Sequence, residues 1–280
     1  MTFEEAIETE DVEQVKAWIA AGVDVNQPFM DDNGEEDYTP LETAVEIGHL
    51  EIVNALLRAG ASPHQGEFNL LDIAIANRDV EMVRILLTAG EYATGEHTES
   101  FHAAWITAVT SGRLKVVQAF IEAGADVNWT GSQGSALFDA IDQRHPGIAQ
   151  ALIEAGADVD ARQPGHCGHD GPTPLMEAAR YNLPQLTRLL IESGANLNAR
   201  DQGGRTPLMI AVSAGSDKVV KVLIERGAKL NVSGVGGRKA FLDTFKKRIL
   251  GVPHDGLHKV FDLLCQAGLS EEAEEDSNGM

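Results

Sequence analysis

Apolar residues recur along most of the chain at the spacing of amphipathic helices. In residues 50–59, "LEIVNALLRA", Leu50, Val53 and Leu57 stand at positions i, i+3 and i+7. This spacing places them on one side of a helix, which predicts a helix with one buried face. Gly60 follows, and glycine readily adopts the left-handed conformation that closes a helix.

A second helix is predicted just upstream. Thr39 can cap it, Pro40 suits its first turn, and Glu42 completes a capping box. Thr-Pro recurs at 173–174 and 206–207. Each such helix is separated from the next by a short turn in which a positive φ is predicted, at Gly48, Gly112, Asn182 and Gly215.

The helix pair repeats through the chain with a period near 33 residues. Its closing glycines are separated by 30 to 41 residues. A short alternation often follows them, such as "DVN" at 126–128 and "NLN" at 196–198, where the apolar residue is predicted to point inward and the polar ones to stay in water. The glycines that end the eight units are Gly22, Gly60, Gly90, Gly124, Gly156, Gly194, Gly227 and Gly268.

This unit, with its "TPL", "GHLEIV" and "AGADVN" segments, resembles the ankyrin repeat over almost the whole chain. The resemblance implies an all-α solenoid of about eight helix–turn–helix units with projecting hairpin fingers. It also implies that partners bind mainly through those fingers and the concave face of the first helices. A single repeat cannot bury its apolar face alone, so stability is expected from stacking.

These boundaries predict an ankyrin-repeat domain at 1–269 and an acidic disordered tail at 270–280. The first unit lacks a TPL start and is predicted to be the N-terminal cap. The third is expected to have a shortened finger. The eighth carries about seven extra residues between its helices, and its polar face suits a C-terminal cap.

Charge is large and uneven. The chain has 43 acidic and 22 basic side chains, a net charge of −21. Residues 1–60 carry a net charge of −13, whereas residues 205–260 carry +7. Such an acidic chain repels nucleic acid and anionic membranes and attracts basic surfaces. No export signal or membrane-spanning run is visible, and two cysteines form no disulfide framework, so we expect a soluble cytoplasmic protein.

The most acidic finger is predicted at 27–38, between the first two units. It can be a solvated loop that keeps the protein soluble, or an electrostatic hook with an apolar anchor that docks on a basic partner. Tyr38 precedes Thr-Pro, where a large residue need not be a contact. The candidate partner-binding residues here are Phe29, Met30, Asp31, Asp32, Glu35, Glu36, Asp37 and Tyr38.

A second long finger is predicted at 161–175. His166, Cys167, His169 and Asp170 are zinc ligands by type, but no second ligand pair stands nearby, and ligands this close in sequence would strain a tetrahedral site. We therefore expect a polar loop and no resident cofactor, and we keep His166, His169 and Asp170 as candidate partner contacts.

Among the three tryptophans, only Trp129 is predicted to lie on a finger, with residues 130–133. It can be a binding hot spot or lean on the neighbouring finger. Trp18 and Trp105 align with leucines of other units and are expected in the core.

No catalytic set is assembled from these residues. The nine histidines are scattered, and neither a nucleophile elbow nor a phosphate-binding fingerprint is present. His254 and His258 lack the glutamate of a metalloprotease, and Cys265 occupies an apolar helix position. We therefore do not expect an enzyme.

The resulting hypothesis is a protein-binding module, expected to be monomeric, that captures a basic protein in an inhibitor, sequestering or immunity-type role. Two alternatives remain. One is an adaptor whose acidic N-terminal and basic C-terminal ends bridge partners or self-associate head to tail. The other is a metal-responsive protein acting through residues 166–170.

Overall fold

A computed structural model describes residues 1–30, 38–63, 69–89, 99–131, 134–163 and 171–229. The chain divides into two compact units, Met1–Asp126 and Val127–Met280. Almost all regular structure in the described residues is helical, which confirms the all-α prediction. The predicted eighth repeat and the acidic tail lie outside the described residues.

The described residues of the first unit form four helix pairs. Their bounds are α1 Phe3–Glu8 and α2 Val12–Ala20, α3 Pro40–Ile47 and α4 Leu50–Arg58, α5 Leu70–Ala76 and α6 Val80–Leu87, and α7 Glu99–Thr110 and α8 Leu114–Glu122. First helices pack on first helices and second helices on second helices, as in α1–α3–α5–α7 and α2–α4–α6–α8. This arrangement is the stacking that a repeat needs in order to bury its apolar face.

The described part of the second unit begins with a two-stranded antiparallel hairpin and continues with three helix pairs. The strands β1 and β2 are Thr130–Gly131 and Gly134–Ser135, with Thr130 paired to Ser135. The pairs are α9 Ala136–Asp142 and α10 Pro146–Glu154, α11 Pro174–Arg180 and α12 Pro184–Glu192, and α13 Pro207–Ala214 and α14 Asp217–Glu225. They stack in the same way, α9–α11–α13 and α10–α12–α14.

The predicted helix starts are confirmed. The Thr39 backbone N–H donates to the Glu42 carboxylate at 2.7 Å, and the Glu42 N–H donates to the Thr39 hydroxyl at 3.2 Å, which completes a capping box. Thr173 and Thr206 cap α11 and α13 in the same way through the N–H groups of Met176 and Met209. Each Thr therefore satisfies a backbone donor that the helix itself cannot.

The predicted turns are also confirmed, since Gly48, Gly112, Asn182 and Gly215 all have positive φ. Three other turns at this position were not predicted, and there Glu10, Arg78 and Arg144 adopt φ of 57°, 62° and 59°. A positive φ is strained for residues that have a Cβ atom. These turns are therefore held in place by the packing of the two helices that they join.

The polar residues after the closing glycines stay accessible to water, as predicted, and some of them also bond to the next loop. The Asn26 side chain donates to the Gly60 carbonyl at 3.1 Å and accepts from the Ser62 N–H at 2.8 Å. Asn128 makes the same pair of bonds to Gly156 and Asp158, at 3.2 and 2.7 Å. Each asparagine therefore links its own repeat to the loop of the next repeat.

Trp105 is confirmed as core, since it is 1% exposed and packs against Phe120 with ring centroids 5.7 Å apart. Trp18 differs from the prediction, because it is only partly buried on α2. Val25 and Val127 point inward as expected.

Candidate functional site

The ends of the acidic finger are held together by the backbone. The Phe29 N–H donates to the Tyr38 carbonyl at 3.0 Å, which closes a neck between repeats one and two. Asp31, Asp32, Glu35, Glu36 and Asp37 lie outside the described residues. The neck therefore brings the two ends of this acidic segment close together.

The two apolar residues beside that neck differ in their surroundings. The Phe29 ring packs edge-on against Phe3 of α1, with centroids 6.2 Å apart and an interplanar angle of 71°. Met30 is 57% exposed. Phe29 thus stabilises the first repeat, and Met30 is the apolar side chain that is open to a partner.

Trp129 immediately precedes the hairpin β1–β2, so this predicted finger is present. The tryptophan is partly buried and interacts with other residues of the chain.

The finger at 161–175 has a closed neck as well. The Gly171 N–H donates to the Gln163 carbonyl at 3.2 Å. The Arg162 guanidinium donates to the carbonyls of Gly171, at 3.2 Å, and Arg200, at 2.9 Å, which ties this finger to the next one. His166, Cys167, His169 and Asp170 lie outside the described residues. Within the part of the chain that the structure describes, no group of three His, Cys, Asp or Glu side chains could hold a metal ion.

A polar cluster on α9, α11 and the turns that follow them was not predicted. The Tyr181 hydroxyl donates to Asp142 at 2.6 Å, and the Arg144 guanidinium lies 5.1 Å from the centre of the Tyr181 ring. The bond to Asp142 raises the pKa of Tyr181. We call this group the α9–α11 cluster, and its members are Asp139, Asp142, Arg144, Glu177, Arg180 and Tyr181.

Burial raises the pKa of two carboxylates in the α9–α11 cluster, Glu177 and Asp139. Glu177 is 3% exposed and pairs with Arg180 at 3.2 Å. Burial raises the pKa of Glu177, and Arg180 partly opposes the shift. Burial, followed by the charge of Asp142, raises the pKa of Asp139 to about 6. Perturbed groups of this kind concentrate at functional sites, although structural networks also contain them.

A signal for the cluster was present in the sequence. Asp139 and Asp142 are three residues apart, which puts both on one side of α9, and Tyr181 stands at the matching turn one repeat later. Acidic residues on an amphipathic helix are normally solvated, so the pattern alone does not distinguish this cluster from an ordinary polar face.

The described helices and their packing are those of one family of repeat proteins. A family model of ankyrin repeats, in three copies, matches residues 3–97 and 162–233, which together exceed half of the chain. The chain therefore belongs to the ankyrin repeat family. Ankyrin repeats are general protein–protein interaction modules, they imply protein partners, and proteins built from them are generally non-catalytic.

Three curated proteins are similar to parts of this chain. A putative ankyrin repeat protein of fowlpox virus is 26% identical over 207 residues, 72% of this chain and 27% of its own length. Human transient receptor potential cation channel subfamily A member 1 is 33% identical over 99 residues, 34% of this chain and 9% of the channel protein. An ankyrin repeat and KH domain-containing protein of Caenorhabditis elegans is 30% identical over 176 residues, 63% of this chain and 6% of its own length.

The chain thus spans about a quarter or less of the length of each of these relatives. None of the helices in the described ranges has the length and apolar character needed to cross a membrane.

Proposed function

We propose that this chain is a non-catalytic module that captures a basic protein through its acidic finger at 27–38 and the neighbouring first-helix faces. The observation that carries the proposal is the concentration of charge, since residues 1–60 hold a net charge of −13. The role that fits is that of an inhibitor, sequestering or immunity-type protein that masks a basic surface.

The mechanism is electrostatic attraction followed by apolar contact. Charges of one sign at a surface attract an oppositely charged partner over roughly 8–10 Å at physiological salt and raise the association rate more than the affinity. Met30, exposed beside the finger neck, supplies an apolar side chain next to this charge. The hydrogen bond between Phe29 and Tyr38 holds the two ends of this acidic segment next to each other.

Affinity capture from a native lysate with matched charge variants tests this proposal. The finger variant carries D31N, D32N, E35Q, E36Q and D37N. The control variant carries E271Q, E272Q, E274Q, E275Q and D276N in the C-terminal tail, so both remove five negative charges. Each bait is used at low and high salt.

We expect a basic protein that wild type and the tail variant retain, and that the finger variant and high salt both lose. Equal retention by all three baits would mean that the acidic finger only adds solubility. Equal loss from both variants would mean that total charge, and not this finger, governs capture.

An adaptor role is the second proposal, and the opposite charge of residues 205–260 favours it. In this proposal, the basic end binds an acidic partner or the acidic end of a second copy. Sedimentation velocity of wild type and a K246Q/K247Q/R248Q variant over a range of concentrations tests self-association. Concentration-dependent dimers that are lost in the variant support it, and a monomer at all concentrations excludes the head-to-tail form.

A further inference from the structure

Asp139 occupies an unusual position for a carboxylate. It lies on α9, which packs against α10, α11 and β2. Its Oδ2 atom is enclosed by the protein, and within the described chain no donor reaches it. An enclosed carboxylate oxygen without a donor is unfavourable when ionised, because the protein has replaced water without replacing its hydrogen bonds.

The charged neighbours of Asp139 do not compensate for this loss. Asp142 lies one helical turn further along α9, and its negative charge disfavours ionisation of Asp139. On α11, Glu177 is already paired with Arg180. At the turns, Arg144 stacks on the Tyr181 ring, whose hydroxyl is bonded to Asp142, and His145 precedes α10. The remaining charged residue of α10 is Glu154, at its last turn, and β2 has none.

We propose that Asp139 is a proton-binding site built into the second unit, occupied at mildly acidic pH and emptied as the pH rises towards neutral. Asp139 therefore contributes more to the stability of this unit at mildly acidic pH than above neutrality. This property is separate from the proposed capture of a basic protein, and it acts on the α9–α11 cluster, whose net charge changes as the site empties.

The direction follows from linkage between protonation and folding. The folded-state pKa of Asp139, about 6, lies above the ordinary value of 3.8. The neutral carboxyl makes its full stabilising contribution below about pH 3.8, and this contribution is lost as the pH rises through about 6. Two pKa units correspond to at most about a hundredfold in the folding equilibrium. On a logarithmic scale, about half of this hundredfold range is already lost below about pH 5, so we expect about tenfold between pH 5 and pH 8.

Urea-induced unfolding of the full chain between pH 5 and 8 tests the proposal. Protection of α9 and α11 peptides from hydrogen exchange reports on the second unit. The variants are Asp139→Asn, which keeps the shape but cannot ionise, and Glu154→Gln, which removes an exposed carboxylate from α10. We expect the Asp139→Asn protein to gain stability relative to wild type as the pH rises, by about tenfold in the folding equilibrium between pH 5 and pH 8.

The pH dependence of the stability difference between the Asp139→Asn protein and wild type is the diagnostic. A cost of the amide that does not depend on pH would change the free energy of unfolding by the same amount at every pH. The Glu154→Gln protein should show the same pH dependence as wild type. If the stabilities of the Asp139→Asn protein and wild type change in parallel from pH 5 to 8, the proposal is wrong. An independent check is the NMR titration of the Asp139 carboxyl carbon in the folded protein. A midpoint near 6 supports the site, and one near 4 overturns it.

Discussion

At the residue scale, the glycines Gly60 and Gly147 affect the stability of the fold in opposite directions. Gly60 closes α4 with φ of +94°, and nothing lies within 4 Å of the place where a Cβ would be. Gly147 lies inside α10, where the backbone is helical. In the first case the backbone conformation requires glycine, and in the second glycine only adds freedom to the unfolded chain.

We therefore expect substitutions by alanine with opposite signs. Gly60→Ala should destabilise the first unit by about 1 kcal/mol, because an L-residue is strained in the left-handed region. Gly147→Ala should stabilise the second unit by about 0.5 kcal/mol through helix propensity, less than in a helix interior because Gly147 is the second residue of α10. Urea unfolding measures both, and a loss of stability in both variants would contradict the assignment of Gly147 to a helix.

Gly171 shows a third reason for glycine, which is space. A Cβ there would come within 2.3 Å of the Gln163 carbonyl oxygen across the finger neck. Gly171→Ala should therefore open the neck and weaken the Arg162 bond to the residue 171 carbonyl, raising hydrogen exchange in residues 161–163 and 171–173. Gly203→Ala is the matched control, since its nearest neighbour would be 3.4 Å away. Unchanged exchange in the Gly171→Ala protein would mean that the neck can shift without cost.

At the element scale, the repeats are joined by packing of helices and by side chains that cross from one loop to the next. Asn128 both donates and accepts across such a junction, and Asn26 does so in the first unit. In later junctions the side chain acts as an acceptor: Asp160 accepts from the Asn196 N–H through both carboxylate oxygens, and Asn198 accepts from the Lys229 N–H. Since buried area alone does not set the register between repeats, these bonds help to define it.

Asn128→Ala should destabilise the second unit by about 1–2 kcal/mol, because two bonds are lost and backbone groups of Gly156 and Asp158 lose their partners. Asn128→Asp keeps the acceptor but loses the donor and places a second negative charge beside Asp158, so it should not restore wild-type stability. Asn54→Ala is the control, because the side-chain bond of Asn54 in the described residues lies within α4, to the Leu50 carbonyl. The measurement is the urea midpoint, and an Asn128→Ala midpoint no lower than that of the control would refute the linking role.

At the scale of the whole chain, charge rather than packing sets the response to salt. Exposed ion pairs join neighbouring second helices, such as Lys16–Glu51 at 2.8 Å and Arg226–Glu192 at 2.6 Å, and pairs of this type contribute little. The net charge of −21 opposes folding through repulsion between like charges.

Raising NaCl from 20 to 300 mM should therefore raise the thermal midpoint by ~2–4 °C, about what 1 kcal/mol produces in a chain of this size. The finger variant should show a higher midpoint at low salt than the tail variant, since residues 1–60 have the densest charge. Calorimetry measures the midpoints. A midpoint that falls with salt would mean that the ion pairs outweigh the repulsion.

The helix pairs and their period could be predicted from the sequence because their signals are local. Three features act within a single repeat: caps such as Thr39 with Glu42, apolar residues at helical spacing, and closing glycines. The helices of each repeat can therefore be predicted from its own residues. The family resemblance rests on the same features, and the all-α architecture follows from them.

The tertiary structure alone decided which side chains meet between repeats. Phe29 packs on Phe3, Asn26 bonds the loop of the next repeat, and the Oδ2 atom of Asp139 is enclosed by the protein, although each residue looks exposed in the sequence. The physical reason is distance along the chain, since these contacts join residues about 25 to 40 positions apart, or depend on burial by elements that far away. Periodicity determines which face of a helix is apolar, but only the packing of one repeat on another determines which polar group on the other face is enclosed.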